Sequence, residues 1–162
     1  HDISIDVYKE NLPADYGDHI FQLHASAYTF LEDFYSAIRS YEYAITLNAK
    51  LGNLSTQANE TCCMGTCYEM LDKTMMAESF YKKGLNLYFK FFNIKHDALL
   101  KNKLKVTGYR EPDIRLFSIH LYAMATCEQK LGKKKEYREY LKMSANCGYE
   151  EAVNKYDSIY GY

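Results

Sequence analysis

The chain repeats itself at a fixed spacing. Ala25, Tyr28 and Leu31 recur 40 positions later as Gly65, Tyr68 and Leu71. The same offset carries Ala37 to Ala77, Tyr41 to Tyr81, Ala44 to Gly84, Ile45 to Leu85 and Leu47 to Leu87. Eight positions aligned at one offset without a gap leave few architectures open. A period of about 20–50 residues is the mark of stacked supersecondary units. A third copy follows 60 residues after the second, with Ala125 and Leu131, then Leu141, Ser144 and Ala145, in the matching places. Here Glu128 replaces the tyrosine and Tyr137 the small residue, and the extra 20 residues fall between Phe91 and Pro112.

Each copy holds two runs with apolar residues at i, i+3, i+4 and i+7, the spacing of an amphipathic helix. Small residues (Ala25, Gly65, Ala37, Ala77) allow close helix crossings, and large ones (Tyr28, Tyr68, Tyr41, Tyr81) fill the space beside them. Polar turns at Glu32-Asp33, Asp72-Lys73 and Gly132-Lys133 separate the paired helices, and Asp33 is suited to start one. With two prolines and eight glycines in 162 residues, breakers are too scarce for a β-sandwich. The pattern predicts helices over 17–31, 34–50, 55–71, 74–92, 114–131 and 134–147. A short helix begun near Ala98 is stopped by Gly108 and Pro112. One hairpin cannot bury its apolar face alone, so neighbours must stack.

Met64-Gly65-x2-Tyr68-x2-Leu71 followed by Ala77-x3-Tyr81-x2-Gly84-Leu85 resembles a tetratricopeptide repeat, as does Ala25-x2-Tyr28 with Ala37-x3-Tyr41-x2-Ala44-Ile45. The resemblance covers about residues 18–148. The 40-residue offset and Lys50-Leu51-Gly52-Asn53 between copies are similar to the longer-helix variety of that family. It implies an all-α fold, a right-handed α-α superhelix of stacked helical hairpins with a C-terminal capping helix. The expected layout is a lead-in at 1–16 and a single domain at 17–158. The repeats fall at about 18–51, 58–91 and 118–148, with an insert at 92–113 and the cap at 149–158.

The resemblance also implies a concave groove lined by the first helix of each pair. Carried over, it comprises His19, Gln22, Ser26 and Thr29, then Asn59, Cys62, Thr66 and Glu69, then Ile119, Tyr122, Thr126 and Gln129, with Lys130 at the edge. Small, hydrogen-bonding side chains suit an extended peptide backbone. The Lys and Asn clamp by which one subclass holds chaperone tails is absent, since those places hold Gln22, Ser26, Cys63, Ile119 and Ala123.

The sequence carries no catalytic or metal-binding motif. Five cysteines form no zinc pattern (Cys62, Cys63 and Cys67 read C-C-x3-C), so they are read as reduced packing residues. Ala27, Cys67 and Cys127 share one position, expected to be small and buried, and Cys147 matches the core positions of Leu47 and Leu87. The five histidines show no H-E-x-x-H, and no phosphate-loop or nucleophile-elbow string occurs. No cofactor, no metal and no catalytic residue is implied, and no run is long and apolar enough to span a membrane.

The charge is near balance at −1 but unevenly placed. Residues 1–36 carry seven acids against Lys9, and residues 90–110 carry six bases against Asp97. Such a dipolar surface orients a charged partner. The basic stretch 90–110, with Phe91 and Phe92, is the one alternative surface for nucleic acid, but its aromatics are adjacent and not interleaved. The chain opens His1-Asp2-Ile3, which reads as a trimmed or excised product whose targeting segment is not visible. The expected function is a non-catalytic module that binds a protein or extended peptide in the cytoplasm. The alternative is the peptide-sensing or regulatory portion of a larger signalling or enzyme chain.

Overall fold

The structure is a computed structural model that describes residues 14–92 and 111–161. Among these residues it contains seven helices and no strand: α1 (Ala14–Phe30), α2 (Phe34–Leu51), α3 (Leu54–Met70), α4 (Thr74–Phe91), α5 (Glu111–Lys130), α6 (Lys134–Asn146) and α7 (Glu150–Tyr160). Each begins and ends within three residues of its expected bounds. The start of the lead-in at 1–13, the basic stretch at 93–110 and the short helix expected near Ala98 lie outside the described residues.

Pro112, read as the stop of that short helix, falls inside the next one, which begins three residues before its expected start. It stands second in α5, where a missing N–H needs no partner and a fixed φ suits the first helical turn. The chain divides into two compact units, His1–Gly84 and Leu85–Tyr162, with the boundary inside α4.

In the first unit α1 packs on α2 and α2 on α3. The core gathers Ala25, Ala37, Ile38, Tyr41, Met64 and Cys67, with Tyr28, Phe34, Tyr68 and Phe80 against it. Gly65 explains the close approach of α3 and α4, because a Cβ there would stand 2.7 Å from Cε1 of Tyr81. Farther along the same pair Gly84 lies directly on the Cys62 sulfur. Cys67 is buried against α1, its sulfur 3.8 Å from the Thr29 hydroxyl. Ala27, its equivalent on the outer side of the first described hairpin, is exposed and not buried as expected.

Two fully buried polar residues cross the junction of α2 and α3. The Asn48 amide donates to both Glu60 carboxylate oxygens, at 3.1 Å each, and also to the Ala44 carbonyl.

In the second unit α5 packs on α6 and α6 on α7. Tyr88, Leu121, Met124, Tyr140, Leu141 and Ala152 are completely buried. The Ser144 hydroxyl donates to the Ser118 carbonyl at 2.7 Å, joining α6 to α5. His120 is enclosed by rings, with centroids at 5.0 Å from Phe91, 5.4 Å from Tyr88 and 6.3 Å from Phe92. Cys147 is only partly buried.

One turn closes all three hairpins. Glu32, Asp72 and Gly132 occupy the same place in successive copies and all take the left-handed conformation, with φ of 59°, 57° and 73°. The next residue's N–H reaches back to the carbonyl of Tyr28, Tyr68 or Glu128, 2.9 Å away each time. This six-residue closure satisfies carbonyls that the helix end would leave bare. Asp33 then starts α2 by accepting from the Ser36 N–H at 3.2 Å, as its position in the sequence suggested.

Candidate partner-binding face

In the first unit the residues expected to line a groove are held by tyrosines from the second helix of each hairpin. The Tyr81 hydroxyl, on α4, donates to Glu69 Oε2 at 2.6 Å and lies 3.4 Å from the Thr66 hydroxyl, both on α3. Tyr41, one copy earlier, has its hydroxyl beside Thr29 and Ser26 on α1 and Cys63 on α3. Burial pushes the Tyr41 phenol well above the ordinary tyrosine range, and the nearby Cys63 adds to this. The hydroxyl therefore stays protonated at every working pH.

Sequence reasoning assigned Tyr41 and Tyr81 only to packing. The signal that could have found their second role was their recurrence opposite the polar pairs Ser26/Thr29 and Thr66/Glu69. Thr29 also donates to the Ala25 carbonyl at 2.8 Å. His19 and Ser26 are exposed, and Gln22 and Asn59 are half-buried. Cys62 is only 9% exposed, because its sulfur is turned onto Gly84.

The second unit presents a different surface. Leu141 stands where Tyr81 stood, so Thr126 and Gln129 receive no equivalent tyrosine hydroxyl. Thr126 turns its hydroxyl to the Tyr122 carbonyl at 3.1 Å, and Gln129 and Lys130 are exposed. The Tyr122 ring lies 5.1 Å from Tyr149, with the Lys155 ammonium 5.8 Å from its centre. Ile119 is 44% exposed and lines an open cleft of about 580 Å³ with Ile114, Cys147, Tyr149 and Glu151.

Neither Cys67 nor Cys147 has the lowered pKa of a reactive thiol, since burial raises both. Among the described residues no group of three His, Cys, Asp or Glu could hold a metal ion, and no helix is long and apolar enough to cross a membrane.

The chain is similar to the solved structure of the TPR domain of Arabidopsis FLU. The two share 12% identity with a TM-score of 0.51, over 90% of this chain and 99% of that one. The fold is a tetratricopeptide-type helical-repeat fold. No family model matches the chain, and neither does any curated protein. The tetratricopeptide-like hairpins agree with the sequence in their pairing and turns. They depart from repetition at Leu141, where the tyrosine hydroxyl beneath the first helix gives way to an apolar side chain, and at Glu128, where a buried carboxylate 3.3 Å from the Lys133 ammonium replaces an aromatic ring.

Proposed function

We propose that the chain is a non-catalytic helical-repeat module that binds a protein through an extended peptide segment. One observation carries the reading. Tyr41 and Tyr81 brace the polar side chains of two successive first helices, α1 and α3, and leave Ser26, Gln22, Asn59 and Thr66 at or near the surface. Side chains already held in place cost less entropy to engage. In the second unit Ile119 and Tyr122, beside Tyr149, offer apolar area for a side chain of the same kind of partner. The spacing of the cysteines matches no disulfide framework or zinc pattern, which suits a reducing compartment, and the proposal places the module in the cytoplasm.

The test is affinity capture with the intact chain, mass spectrometry of what binds, and single changes with the captured segment. Asn59→Ala and Tyr122→Ala are each expected to weaken binding by on the order of 1 kcal/mol or more. Lys82→Ala, on the exposed side of α4, is expected to cost much less. The reverse ranking would move the site to the second helices.

A further inference from the structure

α6 and α7 frame an open cleft of about 630 Å³ whose walls are basic and aromatic. Lys134, Lys135, Arg138 and Lys142 enter it from α6, and Tyr156 and Tyr160 from α7, against a single acid, Glu139. The tyrosine rings stand 5.0 Å apart, and the Arg138 guanidinium lies 4.6 Å from the centre of Tyr160. That contact fixes the guanidinium over the Tyr160 ring, a placement that a planar cation can keep while it engages a carboxylate. Lys134, Lys135 and Lys142 have no ion-pair partner among the described residues. Lys134 and Lys135 also occupy the first turn of α6, where the helix dipole disfavours cations. Glu136 shares that turn, but the cleft walls keep four cations against Glu139, a balance that suits an acidic ligand.

We propose that this cleft is a second binding site, for an extended acidic peptide segment. The spacing supplies the register. Lys134, Arg138 and Lys142 succeed one another every four residues, so their charges rise in steps of about 6 Å along α6. Alternate side chains of an extended peptide share one face and recur about every 6.6–6.8 Å. Carboxylates at every second position therefore meet successive cations, while Tyr156 and Tyr160 flank the backbone. This site uses neither α1, α3 nor the Tyr122 face, so it stands or falls independently of the function proposed above.

The probe is a short fluorescent peptide with glutamate at every second position, followed by anisotropy at low ionic strength. Its comparators are a peptide of identical composition with contiguous glutamates and a single-stranded DNA oligonucleotide. Saturable binding is expected, at least about threefold tighter for the alternating peptide, and falling as salt rises. Arg138→Glu with Lys142→Glu is expected to weaken it by at least about tenfold. Lys135→Glu with Lys142→Glu, which disturbs no ring contact, is expected to do the same. Tyr122→Ala and Lys82→Glu are expected to leave it unchanged, and circular dichroism should show every variant folded. Absent binding, equal affinity for the two peptides, tighter binding of DNA, or full binding by the folded charge-reversal variants would each overturn the proposal.

Discussion

Asn48 presents one amide nitrogen to both carboxylate oxygens of Glu60, at 3.1 Å each, with neither residue exposed at all. Asn53 supports the arrangement by donating to the Asn48 side-chain oxygen at 3.2 Å. The same two places one copy later hold Tyr88 and His120, again in contact, with ring centroids 5.4 Å apart. Removing the amide in Asn48→Ala takes a donor from a buried carboxylate and is expected to cost on the order of 3 kcal/mol. Glu60→Gln keeps a hydrogen-bonding partner and is expected to cost less. Urea unfolding of both single variants and the double variant measures the coupling. Strictly additive losses would show that the pair does not act as one.

His120 supplies a pH prediction. Burial among rings lowers its pKa from 6.5 to about 4. The unfolded chain therefore binds more protons than the folded one between those values, and stability falls as pH drops through that window. The loss is complete below about 4, and the interval corresponds to on the order of 3 kcal/mol. His120→Phe, which keeps the aromatic surroundings, is expected to flatten the difference in unfolding free energy between pH 7 and pH 4.5. An equal difference in the two proteins would place the proton-sensitive group elsewhere.

The left-handed turn position makes opposite predictions for two residues. Asp72 sits at φ 57° with a Cβ and Gly132 at φ 73° without one. Asp72→Gly is expected to stabilise by up to about 1 kcal/mol through relief of backbone strain, and Gly132→Ala to destabilise by about 1 kcal/mol. Open space surrounds the Cβ position of Gly132, so any loss there reports the backbone alone. Thermal midpoints that move in the same direction for both would refute the shared turn.

Gly65→Ala tests the closest crossing. The added methyl would fall 2.7 Å from the Tyr81 ring, and that ring is tethered through its hydroxyl to Glu69. Overpacking costs roughly 1–3 kcal/mol, against about 1 kcal/mol gained in helix propensity. A net loss of about 1 kcal/mol is expected, and a raised melting temperature would show that the ring yields freely.

The hairpins were legible in the sequence because their residue types are dictated locally. A small residue where helices cross, a tyrosine beside it and a polar turn recur at one offset, and backbone geometry demands them each time. Glu60 was not legible, because a charged residue in a core place is recognised only once its partner 12 positions away is brought beside it. Cys62 was read as lining a groove, yet Gly84 opens space on the other side and the sulfur fills it. The cleft at Lys134–Lys142 went unseen for a similar reason: its aromatic wall comes from α7, after the last repeat.

The three identical turns separate what this architecture can change from what it cannot. Between the second and third copies the chain has taken in 20 further residues, yet the turn at Gly132 closes with the same 2.9 Å bond as the turn at Asp72. The added length lies ahead of the hairpin and leaves its turn untouched. Each hairpin thus behaves as a cassette, closed by its own chemistry, so grafting is best attempted across 93–110, where length has already been added, and not at the Gly52-Asn53 joint, where Asn53 holds Asn48. A single residue inserted at Glu32, Asp72 or Gly132 would turn one helix about its axis and face its apolar stripe to water.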